Sequence, residues 1–390
     1  MKRSLRLLLA LLVMMAMAAP AGIAAGKSTT ATKTYREAPL GTGTYEGTLW
    51  NGGNLTLDAG ALQSGTDTAG RYNRGAYYFG RYTAPVETVN FLEAIASWRA
   101  STPPGTWVEV ELRAQVGGTW TKWYSMGVWL EGDTPFKRHS VSGQSDKSGY
   151  VATDTLILSK AAAAVQSRIT LFTTDPTFTP TVRGYGVTFA NGVDKAGIVP
   201  FGGLTSDLAV PKRSQMVFPD GGEVWCSPTS TSMVMAYWAG VTGNSALDQP
   251  VPTVVNGVWD TTYNGGGNWP YNTAYASSFG LEGKVVRLAS LAEVEQWTAA
   301  GVPAIASIAY KQGELTGSPI PSSNGHLLVI RGFDAAGNVL TNDPAAASDD
   351  AVTITYNRVE FEQTWLGNSN GVVYLIYPTG WNVPASNGHW

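Results

Sequence analysis

Cysteine is all but missing. The chain of 390 residues contains one, Cys226, so no internal disulfide can form and a Cys-pair zinc site is excluded. Charge is sparse too: 14% of residues against 44% hydrophobic, with a formal net charge of −3. No basic cluster follows the first six residues, so the electrostatic footprint of a nucleic-acid partner is lacking. Histidine occurs three times, without an H-E-x-x-H pair or a cluster of ligands, and no metal is expected. Neither G-x-G-x-x-G nor a P-loop occurs, which leaves no expected cofactor. Long hydrophobic runs are absent as well. The longest, 7–18, breaks at Pro20, short of the roughly 20 residues a membrane helix needs.

What the chain does contain is glycine (45), proline (21) and aromatic side chains (11%), in no triplet period, which suits a turn-rich β protein and not collagen. Lys2, Arg3 and Arg6 precede the apolar run, and the small residues 21–26 follow it. This pattern predicts a secretory signal peptide over 1–25, and so an exported chain, extracellular or associated with the cell wall, with no membrane anchor after cleavage. A Thr, Lys and Ala-rich leader, 26–37, reads as flexible.

The first half alternates with period two. In 107–116, Val108, Val110, Leu112, Ala114 and Val116 share one face, with Glu109, Glu111, Arg113 and Gln115 on the other. Gly117-Gly118 turns the chain into 119–130, a half-buried hairpin. Further strands are predicted over 88–98, 154–158, 167–173 and 181–190. Residues 38–192 thus read as an all-β sandwich, jelly-roll-like, and the Gly-bearing stretch 193–207 as a linker. Trp107, Trp120, Trp123 and Trp129 lie on or beside the hairpin, where aromatic faces would stack on a glycan or cell-wall polymer. Three of them do not share one parity, so the alternative is core packing.

The second half mixes periods. Helices are predicted over 227–237, with Thr229, Met233, Ala236 and Tyr237 on one face and Gly240 closing it, over 272–279, and over 290–300, which opens on the capping box Ser290 to Glu293. Strands are predicted over 304–310, 326–333, 339–342, 352–356 and 372–377. A group of helices before a run of strands indicates an α+β domain, here 208–380, with 381–390 as a tail.

The one thiol stands where chemistry would put it. Cys226 follows a Gly-Gly loop and opens the first strong helix of its domain, where unpaired N–H groups and partial positive charge favour thiolate. His326 is the imidazole available inside this domain; His139 and His389 read as solvated. A hairpin over 326–342 would return Asp343, or alternatively Asn342, beside His326 to orient it. Trp225 precedes the nucleophile as a lid on the helix start, and Asp220 lies nearby as a turn residue or site residue. Trp259, Tyr263, Trp269 and Tyr271 occupy a Gly-Asn loop that lines a cleft or packs on itself; Trp225, Trp259, Trp269 and Tyr271 are the candidate substrate-binding residues.

The segments VPKRSQ, WCSPTSTSMVMAYW, NGHLLVIRGFDAAGNVLTNDPA and GVVYLIYP, in this order, resemble the papain-like clan and more closely the C39-like cysteine peptidases of secreted bacterial proteins. The resemblance spans about 208–379. It implies a papain-like fold for the second domain, with Cys226 as nucleophile, His326 as base, Asp343 as orienter and Gln215 lining the oxyanion hole. Ser227 replaces the glycine that follows the cysteine in the bacteriocin-processing members, and no transporter segment or ATP motif accompanies it, so cleavage of double-glycine leaders is not carried over. The expected function is a secreted cysteine peptidase acting on peptide or protein substrates through a thioester. The alternatives are a cell-wall peptide amidase or transpeptidase using the same residues, and a silent surface-binding protein.

Overall fold

The computed structural model describes residues 32–193 and 198–390; the signal peptide expected at 1–25 lies outside them. Strand Thr32–Glu37 pairs antiparallel with Thr181–Asn191, which corrects the second half of the expected flexible leader. Its inward residues are Lys33 and Tyr35, with Lys33 Nζ donating to the Leu288 carbonyl at 2.9 Å. A lysine on the buried face hid the period-two pattern.

Among the described residues, thirteen strands form one continuous hydrogen-bonded sheet in the N-terminal half, where two separate sheets of a sandwich were expected. Strand Thr155–Thr173 links the layers. Its start pairs with Glu87–Ser101, and 162–173 pair with Thr106–Val116, with register shifts between Ile157 and Ala164. A strand irregular at such shifts bends and turns the corner of a sheet. In sequence the corner reads as a gap between two short strands because 159–166 lacks alternation.

Strand Thr106–Val116 is buried on both faces, not half-buried. Glu109 and Glu111 are paired where they stand: Glu109 with the Arg71 guanidinium and the Tyr72 hydroxyl, Glu111 with Arg168 at 2.6 and 2.8 Å. On the same outer face Trp107 stacks on Phe172, centroids 5.1 Å apart. Trp107 and Trp129 are fully buried, so these two cannot form a stacking platform. The guanidinium of Arg113 lies 4.7 Å from the ring centroids of both Trp120 and Trp123, and Arg168 lies 4.4 Å from that of Trp123.

Among the described residues, the C-terminal half is a seven-stranded antiparallel sheet packed with five α-helices: α1 (Cys226–Thr242), α2 (Val251–Val258), α3 (Trp269–Ser278), α4 (Leu291–Ala299) and α5 (Arg358–Ser369). This is a mixed α/β domain. The sheet runs Leu281–Arg287, Val372–Pro378, Ala304–Tyr310, Ser323–Phe333, Val339–Asn342, Thr353–Tyr356. Helix α1 runs past Gly240 to a left-handed Gly243 at φ 73°, the conformation that ends helices. It is also buried on every side from Ser227 to Trp238, so the one-faced pattern expected for it is corrected. Three of its small hydroxyl residues bond to neighbours, Ser227 to Tyr374, Ser230 to the Leu327 carbonyl and Thr231 to Asn272. A helix enclosed by sheet and helices needs no polar face.

One hydrophobic core runs through both halves. Val285 N donates to Ser97 Oγ at 2.9 Å, and Arg287 pairs with Glu93 at 2.5 Å. Part of the expected linker belongs to the sheet, since Ser206–Asp207 pairs with Phe333 and Gly332. The expected tail is packed too: His389 Nδ1 lies 2.8 Å from Glu293, and the Trp390 ring meets that of Trp297. His389 is therefore no solvated bystander; a buried indole at the chain end holds the segment down.

Candidate active site

Cys226 is the first residue of α1, and the preceding Trp225 contributes no side-chain cap. The N–H groups of the first turn thus meet no capping side chain and keep the positive end of the helix turned toward the sulfur. One turn later Ser230 donates to the carbonyl of Leu327 at 3.2 Å. That bond stacks the helix start on the strand carrying His326.

His326 is 3% exposed, and its Nε2 lies 2.7 Å from Asp343 Oδ1, which leaves Nδ1 for the sulfur. Burial pushes the Cys226 thiol up. The hydrogen bond and charge of His326, with the N–H groups of Leu327 and Ser227, outweigh it, and the net direction is down. Burial likewise pulls the imidazole down, but Asp343 and then Cys226 raise it to about 10. Both shifts favour a thiolate beside an imidazolium.

Asp343 comes from just beyond the hairpin. Val329 pairs with Asn342 and Phe333 with Val339, with a register shift between Ile330 and Gly332. This register places residue 343 diagonal to His326 on one face of the sheet. Burial would raise the Asp343 carboxyl, but His326, Tyr356 and the Ala345 N–H hold it below its usual range. Oδ1 also accepts from Ala345 N at 2.9 Å, and Oδ2 from Tyr356 Oη at 2.7 Å. Asn342, the alternative orienter, points elsewhere: its Nδ2 donates to the Val210 and Pro211 carbonyls at 3.0 and 3.3 Å.

Gln215 is 2% exposed and sits on the loop that leads into α1. Its backbone N–H donates to Pro344 O at 2.9 Å, and its Nε2 to Gly222 O at 2.8 Å. The Gly-Gly loop is what permits this approach. A Cβ on Gly222 would lie 2.1 Å from the Gln215 carbonyl oxygen, and Gly221 is left-handed at φ 97°. The Gln215 loop is thereby tied both to the helix start and to the Asp343 loop.

The tentative substrate residues divide. Trp225 packs its ring against Phe218, and Trp225 and Trp259 line one cavity. Tyr271 is fully buried between Trp98 and Trp129 of the N-terminal half, with its hydroxyl on Val128 O. It is a core residue of the domain junction, because a helix packed on a sheet turns its large rings inward. Trp269 is partly buried, and its backbone N–H donates to Asp154 Oδ2 at 2.7 Å. Asp220 is exposed and lines the same cavity as Trp225. Tyr263, named with this loop but not among the substrate-binding candidates, belongs with them. It is half-exposed, and burial, followed by the charges of Cys226, Asp154 and Asp260, holds its phenol above the ordinary range. Its loop position in a Gly-Asn stretch was the available signal.

Among known proteins, the model of the peptidase C39 N-terminal domain matches residues 30–190, and that of the peptidase C39-like family matches 207–373. No curated protein matches. Of solved structures, one from Bacillus anthracis, described as a candidate C39-like peptidase, is 18% identical, covering 44% of this chain and 96% of its own, with a TM-score of 0.31. Another, an immunostimulatory antigen and pseudo beta-1,3-glucanase of Mycobacterium tuberculosis, is 14% identical over 36% of this chain and 75% of its own, with a TM-score of 0.15. The two family matches divide the chain where its fold divides, and the chain belongs to the C39-like peptidase family.

Proposed function

We propose that the chain is a cysteine peptidase, exported in accord with its N-terminal sequence, that hydrolyses peptide bonds through a thioester. The observation carrying this reading is the half-buried Cys226 at an uncapped helix start, facing an imidazole whose far nitrogen is bonded to a buried carboxylate. The Cys226 thiolate attacks the carbonyl carbon, and charge builds on the carbonyl oxygen. Its donors are the Cys226 backbone N–H and the second Nε2 hydrogen of Gln215, the first being committed to Gly222. Nδ1–H of His326 protonates the leaving amine as the C–N bond breaks, leaving the acyl group on sulfur. His326, now neutral, takes a proton from water, whose oxygen attacks the thioester. The products are a carboxylic acid and the restored thiolate–imidazolium pair. Asp343 stays ionised throughout and holds the ring.

The test pairs a labelling rate with turnover. Iodoacetamide is expected to alkylate Cys226 rapidly at pH 6, where an ordinary thiol is almost wholly protonated, and Cys226→Ala to abolish cleavage of internally quenched peptides while the circular dichroism spectrum is kept. A slow, ordinary labelling rate together with no Cys226-dependent cleavage would leave a silent scaffold as the better reading.

A further inference from the structure

A cavity of about 360 Å³ opens where the two domains meet, beside the residue that precedes the nucleophile. One wall is Val224 and Trp225 at the start of α1, a second is Val255 and Trp259 from α2 and its end, and a third is Asp133 and Lys137 of the N-terminal domain. We infer that this cavity is a substrate subsite for a large apolar side chain, built jointly by the peptidase domain and the N-terminal domain. The inference rests on the peptidase reading and deepens it.

The wall chemistry selects the occupant. Arg138, also a lining residue, is 2% exposed and already committed, with Nε on Leu130 O and its terminal nitrogens on the carbonyls of Asn256, Glu131 and Gly132. Asp133 and Lys137 offset each other at 3.8 Å. Besides the exposed Asp220 carboxylate, the lining that remains is indole and valine, which gains by covering an apolar group. A volume of about 360 Å³ has room for a large side chain.

The N-terminal domain also holds the wall opposite it. Arg138 Nη1 donates to Asn256 O at 2.6 Å, Thr261 N donates to Arg138 O at 3.2 Å, and Ser140 N donates to Asp260 Oδ1 at 2.9 Å. The same Asp260 oxygen accepts from Thr262 N and Tyr263 N. These bonds pin the loop carrying Trp259 and Tyr263 to the strap 131–141. Arg138 and Ser140 are positioning residues here, while Trp259 and Lys137 face the substrate.

The experiment uses the full chain and internally quenched peptides in which each position in turn carries Phe, Leu, Ala, Lys or Glu. At one position Phe or Leu is expected to exceed Ala in kcat/KM by about tenfold or more, the scale of hydrophobic pocket discrimination. Trp259→Ala should bring that ratio to within about twofold. Lys137→Glu, at an exposed site whose loss leaves folding intact, should raise the Lys-to-Ala ratio at the same position severalfold. Cys226-dependent cleavage with no such position, or with ratios unmoved by both variants, overturns the subsite and leaves the peptidase reading standing. Absence of any Cys226-dependent cleavage overturns the peptidase reading itself, and the subsite with it.

Discussion

Replacing Asp343 by Asn isolates the charge behind the candidate imidazole. The carboxylate is fully buried, 2.7 Å from His326 Nε2, and also serves Ala345 N and Tyr356 Oη. An asparagine of the same shape can keep Oδ1 on the imidazole and on Ala345, and turn Nδ2 toward the Tyr356 oxygen, which then accepts. Geometry is retained and one charge is lost. A hydrogen bond to a charged group contributes about 1.5–3 kcal/mol and a neutral one about 0.5–1.5. The difference, about 1–2 kcal/mol, corresponds to about 5–30-fold in kcat/KM. The same loss destabilises the imidazolium, now raised to about 10. The alkylation profile of Cys226 should therefore change at its alkaline end, where the imidazolium that pairs with the thiolate loses its proton at lower pH. The assay is the rate of iodoacetamide labelling between pH 4 and 10, read by mass spectrometry, beside kcat/KM on one quenched peptide. Asp343→Ala should cost more, because three buried donors lose their acceptor. Unchanged rates and an unchanged profile in Asp343→Asn would refute the electrostatic role. So would a larger profile shift in Asn342→Ala, which is expected only to loosen the 210–211 segment.

Two further outcomes follow from individual side chains. Gln215→Ala should lower kcat by about 10²-fold with little change in KM, the scale for loss of one oxyanion donor; steady-state kinetics giving a pure KM effect would assign Gln215 to substrate binding. Burial, with the charge of Asp260 adding to it, pushes the Asp154 carboxyl up to about 7 at the domain junction, against the Trp269 N–H and the Thr155 hydroxyl. Between about pH 4, the unfolded value, and pH 7 the native state holds a proton that the unfolded chain releases, so stability falls as pH rises through this window and levels off above it. Asp154→Asn, which keeps an acceptor for Trp269 N, should raise Tm at pH 8 more than at pH 5 by scanning calorimetry; an equal change at both pH values would exclude the titration.

The candidate nucleophile and base were legible in the sequence because both are scarce residue types in strong local contexts. The lone Cys226 opens a helix after Gly-Gly, and His326 opens an apolar strand whose hairpin length is set by its turn residues. Helix α3 was placed within a few residues because Gly280, with φ 87°, marks its end. Helices α2 and α5 were not legible. Four of the eight residues of α2 are valines and a fifth is Gly257, a composition that local propensity assigns elsewhere, and packing against α1 and α3 makes it helical.

What the tertiary structure alone decided concerns partners distant in the chain. Asp343 and Asn342 are adjacent, and which of them meets His326 depends on a register shift near Gly332 and on where the 210–211 carbonyls lie. No local pattern encodes either. For Trp107, Trp129 and Tyr271 the sequence left surface and packed positions both open, because their strands and loops alternate with polar residues; both faces of those elements are covered, by Tyr72 and Phe172 on one side and by α3 on the other. Periodicity reports how many faces an element can bury, whereas the rest of the chain supplies what covers them. The joint cavity at Trp225, Trp259 and Lys137 belongs wholly to this second kind of information, since its walls are brought together across the domain junction by the hydrogen bonds of Arg138 and Asp260.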